Sequence, residues 1–311
     1  MPIRVAEYLG VSTSDPFNAP VPVDSSSSPT LACPFRNGGC AKAAKGQTPV
    51  CSIRDVDNDQ VWIVCEHRLC ATQPREADLT DYQRTVLGSI SEIAFPGVRK
   101  SDIAITREAR VRRSPGRNRS DDSKADYLMI QLDHQHNEIQ QNSRGVILEM
   151  QGGGETSNTQ LLTRQVRTWE QSGNYSDLVE PVGIRDIATN AWRRQQEQFL
   201  FKGNVAHRSN GRLVFAMGSI LYDKVLGNIL HPPSSIPISG GWTLALLGIR
   251  EGNGPNSFAT ERSISLEIDP SRMLITDYGA FARALTDQGQ YDPRLFNARY
   301  ETLEGLHIDL T

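Results

Sequence analysis

Two short runs near the middle of the chain, Tyr127 to Leu132 and Gly145 to Gln151, are apolar and rich in strand formers, and a hydrophilic stretch holding His134, His136 and several amides separates them. This pattern predicts a pair of strands. Upstream, Tyr82, Val86, Leu87, Ile90 and Ile93 recur at helical spacing behind a capping box of Thr80 and Gln83, and Pro96 and Gly97 end the run. Residues 101–113 alternate weakly and read as a strand, with Ser114 to Lys124 as a polar loop. A second helix is predicted from Ile184 to Lys202, where Ile184, Ile187, Ala188, Ala191, Trp192, Phe199 and Leu200 share a face and Gly203 is placed to stop it. Further strands are expected at Arg212 to Met217, Trp242 to Ile249 and Ser263 to Ile268. Short helices are expected at Ser219 to Asn228 and Tyr278 to Leu285. The start, MPIRVAEYLG, reads as a short helix, followed by an irregular Ser/Pro-rich linker from Asp15 to Pro29. Elements mixed in this order imply an α/β or α+β core, and no internal repeat is present.

Composition narrows the class. The chain has 311 residues, of which 38% are hydrophobic, enough for one large core or a core with a satellite. Neither a signal-like apolar start nor a run of membrane-spanning length is found, so a cytoplasmic protein is expected. The formal net charge of −3 argues against a protein that is basic throughout. It hides a local excess, because Arg107, Arg110, Arg112, Arg113, Arg117 and Arg119 face only Glu108 within that segment. Such a segment is either a solvated loop or a contact surface for phosphates and bases.

Cysteine usage is more specific. Four of the five cysteines, Cys33, Cys40, Cys51 and Cys65, fall close together near the N-terminus, and none follows Cys70. Four thiolates satisfy a tetrahedral metal, and zinc and a single iron both accept that set. Such a closed shell is structural and is expected to stand apart from any chemistry. The alternatives are reduced core cysteines or two disulfides, and the spacing is not a pair of C-x-x-C knuckles.

Candidate catalytic groups lie on the predicted central strands. In Val146-Ile147-Leu148-Glu149-Met150-Gln151 the period of two puts Glu149 and Gln151 on one face. Asp126 stands at the start of the preceding strand, where hairpin-like pairing brings it near Glu149. Two converging carboxylates suit Mg²⁺. Gln151 does not titrate, so its role would be to orient water or bind metal through its carbonyl oxygen. Gly152, Gly153 and Gly154 follow, either as a bare backbone for phosphate approach or as a turn. His134 and His136 read as loop residues.

Together these blocks resemble the NotI-like family of type II restriction endonucleases. Its cysteine region likewise opens with Cys-Pro-Phe, here Cys33-Pro34-Phe35, and closes on an apolar strand running into Cys-x-x-Arg, here VWIVCEHR. GVILEMQ is similar to its catalytic strand, KADYLMI to the strand of its first acid, and NAWRRQQEQFLFK to its following helix. The similarity covers about residues 30 to 250, with a shorter gap between the first two cysteines and with Ala125, not Pro, before Asp126. It implies a PD-(D/E)XK restriction-endonuclease-like core, a mixed central sheet flanked by helices over residues 76–311, behind a small four-cysteine metal-binding subdomain in residues 1–75. It further implies Asp126, Glu149 and Gln151 as catalytic residues, Mg²⁺ held by Asp126 and Glu149, and a structural iron, alternatively zinc, on Cys33, Cys40, Cys51 and Cys65. The expected activity is hydrolysis of double-stranded DNA at a palindromic, G·C-rich site by a homodimer, with a cognate DNA methyltransferase as genetic partner. The alternatives are a metal-stabilised DNA-binding or regulatory protein without catalysis, and a non-restriction nuclease of the same core.

Overall fold

The computed structural model of the chain describes residues 2–25, 31–71, 78–111, 123–133, 135, 144–152, 156–157, 159–183, 185–187, 189–287, 289, 299–301 and 307–309, with backbone alone at 123, 156, 157, 159, 185–187 and 189–195. The N-terminal segment is a strand, β1 (Pro2–Tyr8), where a helix is expected from the sequence. Ile3 and Val5 are buried to either side of exposed Arg4, and β-branched residues alternating with a charge fit a half-buried pleat better than a helical face. Leu9 (φ 46°) and Gly10 (φ 69°) are both left-handed and turn the chain into β2 (Val11–Ser12), as a two-residue hairpin requires. A Cβ on Gly10 would lie 2.3 Å from Pro34. β3 (Val50–Asp55) and β4 (Gln60–Ile63) extend an antiparallel sheet along the order β2-β1-β3-β4, and Val182–Gly183 adds a fifth strand against β1.

The first helix follows its capping box. α1 (Asp81–Ala94) starts with Gln83 N donating to Thr80 Oγ1 at 3.1 Å and Thr80 N donating to Gln83 Oε1 at 2.9 Å. Its Val86, Leu87 and Ile90 are buried in a core shared with Phe35, Ile63 and Leu69 of the N-terminal unit.

Three strands then form an antiparallel meander: β5 (Ile103–Val111), β6 (Ser123–Gln131) and β7 (Val146–Gln151). Ser123 and Lys124 already belong to β6; the rest of the predicted polar loop, 114–122, lies outside the described residues. A long connection carries β8 (Thr156–Ser157), α2 (Thr159–Ser172), α3 (Tyr175–Val179), β9 (Val182–Gly183), β10 (Arg185–Ile187) and α4 (Thr189–Arg208). It delivers β11 (Arg212–Gly218), which lies parallel to β7. α5 (Ser219–Gly227) leads to β12 (Leu244–Glu251), again parallel, and β13 (Leu266–Thr276) closes the sheet antiparallel, followed by α6 (Tyr278–Thr286). The sheet order is β13-β12-β11-β7-β6-β5. The class is thus mixed α/β, with a central sheet between helices.

The predicted boundaries of two elements move for physical reasons. α4 starts later than expected because residues 185–187 pair with β8 as a strand, and it continues past Gly203. Gly203 does not stop this helix: a Cβ there would lie 2.2 Å from the Tyr278 ring, so the glycine admits α6 instead. β13 runs beyond Pro270 because that residue falls where the β12–β13 register shifts, and a bulge does not need its missing N–H.

One face of the N-terminal sheet packs Ile3, Val5, Tyr8 and Trp62 against Leu162, Val166 and Trp169 of α2. Residues from the long crossover therefore close the core of the N-terminal unit. Across the central sheet, Val146, Leu148 and Met150 face α1 and the cysteine segment, while Phe215, Leu246 and Phe281 share the opposite core with Phe199 of α4.

Candidate active site

The alternation of β7 delivers what its sequence predicts. Leu148 and Met150 enter one core, Ile147 the other, and Glu149 meets α4 on the Ile147 side. The β6–β7 ladder pairs Met129 with Val146, Leu128 with Ile147 and Tyr127 with Leu148, then stops. One rung further, Asp126 stands opposite Glu149. The strands fork there, and Asp126 Oδ2 accepts the Met150 N–H at 2.7 Å. On its other side β6 also loses a rung, because Arg107 pairs with Tyr127 and Ala109 with Ala125 while Glu108, at φ 48°, is skipped. Glu108, Asp126 and Glu149 thus fall at one level across three strands. Like charges directly opposite repel, and Glu108 turns to Lys124 at 2.9 Å.

Glu149 is buried, 2% exposed, yet it carries a carboxylate. Lys202 Nζ of α4 lies 2.6 Å from its Oε2, and Lys202 is itself 5% exposed. One turn earlier on α4, Gln198 Oε1 accepts from Gln151 Nε2 at 3.4 Å. The other carboxylate oxygen, Glu149 Oε1, is buried with no hydrogen-bond partner among the described residues. Burial pushes Asp126 up to about 6, against the Met150 N–H and the Lys202 charge, with Glu108 and Glu66 adding to the rise. Burial and the charge of Asp126 push Glu149 up to about 8, with Lys202 and the Asp126 backbone N–H opposing. Perturbed acids of this kind cluster at functional sites, and structural ion pairs also produce them.

Lys202 and Gln198 were not legible as site residues. The available signal was position: Phe199, Lys202 and Ala206 form the buried stripe of α4, and a lysine on a core stripe needs a reason.

The cysteine segment forms a wall beside this site. Gly152, the residue after Gln151, has the Glu66 N 3.4 Å and the Cys65 carbonyl carbon 3.6 Å from its Cβ position. The end of the cysteine segment therefore packs against the chain leaving β7. All five cysteines carry free thiols. Cys33 and Cys40 flank a tight loop, closed by Cys33 N donating to Gly38 O at 2.9 Å and Cys40 N to Leu31 O at 2.6 Å, while Cys65 N reaches Cys51 O at 3.0 Å across β3 and β4. Burial pushes Cys33 up to about 11, against a Phe35 N–H, with Cys65 and Cys40 adding to the rise. Burial and then Cys65 raise Cys51. Cys65 is raised by burial, and the N–H groups of His67 and Arg68 oppose this. The four thiols therefore share one neighbourhood, and Cys33, Cys51 and Cys65 receive backbone donors, although no three His, Cys, Asp or Glu among the described residues converge as a ready metal-binding group. Cys70 sits apart, at φ 61°, beside Tyr82.

No family model and no curated protein matches this chain. The site is consequently read from its own chemistry. Of the six arginines, Arg107 and Arg110 lie on β5, and Arg110 lines a cleft of about 330 Å³ with Val111, Leu128, Val205 and Ser209. Arg112, Arg113, Arg117 and Arg119 lie outside the described residues, as do His134, His136, Gly153 and Gly154. Among the described residues no helix is long and apolar enough to cross a membrane.

Proposed function

We infer that the protein is a Mg²⁺-dependent type II restriction endonuclease with a PD-(D/E)XK core, acting in the cytoplasm as a homodimer on double-stranded DNA. The observation that carries this reading is the fork at which Asp126 and Glu149 stand opposite one another, with Glu149 Oε1 buried and without a hydrogen-bond partner among the described residues. Oxygen ligands of this kind, in an antiparallel meander joined through helices to a parallel strand, suit a hard divalent cation. Asp126 and Glu149 would hold the ion, which supplies Lewis acidity to the scissile phosphate and acidifies a bound water. Asp126 is fixed for this by the Met150 N–H, and Glu149 by its helix partner. Gln151, held through Gln198, aligns the attacking water by hydrogen bonding and takes no proton. Water oxygen bonds to phosphorus, a bridging P–O bond breaks, the water proton passes to solvent and the leaving oxygen takes one up.

Cys33, Cys40, Cys51 and Cys65 would hold a structural iron or zinc, a reading supported by their shared neighbourhood and by the N–H groups directed at the sulfurs of Cys33, Cys51 and Cys65. Arg107 and Arg110, with the arginines that follow them, are the candidate phosphate or guanine contacts.

Incubating the protein with plasmid and phage DNA in Mg²⁺ tests the reading. Discrete fragments are expected, and Glu149→Ala or Asp126→Ala should abolish them while binding in Ca²⁺ persists. A smear would indicate a general nuclease, shifted but intact DNA a binding module, and undiminished cutting by Glu149→Ala a wrong site.

A further inference from the structure

The strand position two residues after Glu149 holds an uncharged amide, Gln151, yet the site does contain a buried cation. It comes from the helix. Lys202 and Gln198 are one turn apart on α4, and they meet Glu149 and Gln151, two apart on β7, so the helix repeat and the strand repeat are matched across the interface. We propose that Lys202 is a catalytic residue of this site, whose ammonium, delivered from α4, contacts the scissile phosphate and the attacking water in the role that Gln151 cannot fill for lack of charge. The assignment rests on the nuclease reading above.

Geometry favours this over a purely structural ion pair. A buried pair offsets its desolvation only when the remaining lone pairs are satisfied. Here Lys202 Nζ meets Glu149 Oε2, and Oε1 on the same carboxylate has no hydrogen-bond partner among the described residues. An ammonium carries three donors, and the bond to Glu149 uses one of them. The flanking stripe residues, Phe199 and Ala206, are apolar, and an aliphatic side chain at 202 would complete the core without any charge to bury.

Three proteins decide the matter: wild type, Lys202→Met, and the exchange Lys202→Gln/Gln151→Lys, which moves the charge from helix to strand. Each is assayed for single-turnover cleavage in Mg²⁺, for DNA affinity in Ca²⁺, and for thermal midpoint. Lys202→Met should lower the cleavage rate by about 10²–10³, the usual loss for one preorganised donor to developing charge, with affinity for DNA held within a few-fold. The exchange variant should recover at least about ten-fold of the lost rate, because charge at the fork is what is required. Cutting by Lys202→Met at the wild-type rate would overturn the assignment. So would an exchange variant that regains thermal stability and none of the rate, since that is the behaviour of a structural pair. Intact DNA with the wild-type protein would instead overturn the nuclease reading itself, and this assignment with it.

Discussion

The Tyr127 hydroxyl donates to the Cys70 carbonyl at 2.6 Å, with both residues fully buried. This bond ties the middle strand of the meander to the end of the cysteine segment, one residue from Asp126. Together with the Cys65–Glu66 backbone against Gly152, it makes the cysteine unit a support of the acidic fork. Tyr127→Phe would remove this buried hydrogen bond at a cost of about 0.5–1.5 kcal/mol. Denaturant unfolding should show that loss, and Mg²⁺-dependent cleavage should fall with it. An unchanged midpoint would mean that the bond carries no load between the two units.

Arg68 makes the second tie. Its Nε donates to Glu7 Oε2 at 3.0 Å, its remaining nitrogens reach the Tyr82 hydroxyl and the Ile264 carbonyl, and it lies 4.7 Å from the Phe35 ring centre. Glu7 in turn accepts the Ile264 N–H at 2.8 Å, and both charged residues are 0% exposed. Arg68→Met would strand the Glu7 charge in the core, a loss of about 3–5 kcal/mol. Arg68→Lys should rescue little, since one ammonium cannot span partners set out for a planar fork. Urea midpoints of both variants measure this, and a loss below about 1 kcal/mol for Arg68→Met would rule out the network as a main tie.

A pH signature follows from the two acids. With Asp126 at about 6 and Glu149 at about 8, both bind protons more tightly in the folded chain than in the unfolded one. For acids raised in this way, the stabilisation is fully present below the unfolded value near about pH 4 and is lost as pH rises through the folded values. The metal-free protein should therefore lose stability, relative to Glu149→Gln, as pH rises from about 5 to about 9. Thermal midpoints of the two proteins across that range give the difference directly. A wild-type protein that gains on the variant as pH rises would contradict the cost of charging Glu149 in its buried place.

What was legible in the sequence followed local rules. Thr80 and Gln83 announce α1 because a capping box is closed within four residues, and Glu149 and Gln151 share a face because strand alternation needs no tertiary information. Asp126 was legible through simple antiparallel pairing. The misreadings came from residues whose reason lies far along the chain. Glu7 interrupts the alternation of β1 because it turns inward to Arg68. The Leu162, Val166 and Trp169 stripe of α2 is thin, and its partner surface is the N-terminal sheet. Lys202 is meaningful only once α4 is known to cover β7.

Gly203 offers the sharpest test of that distance effect. In an exposed helix interior, glycine to alanine stabilises by about 1 kcal/mol, because alanine loses less backbone freedom on folding. On sequence alone Gly203→Ala should therefore strengthen α4. The structure reverses the sign: the new Cβ would lie 2.2 Å from Tyr278 Cε2 and 2.5 Å from Cδ2, and the ring is held by its hydroxyl bond to Leu200 O at 2.9 Å. Relief requires α6 to move off α4, and overpacking of this kind costs about 1–3 kcal/mol. Because Lys202 is the preceding residue, the same shift should also slow cleavage. Adding Tyr278→Ala should remove the clash and restore the helix-propensity gain to Gly203→Ala, which a double-mutant cycle in urea measures as a coupling of about 1–3 kcal/mol. Additive single effects would show that Gly203 is not there to admit the ring.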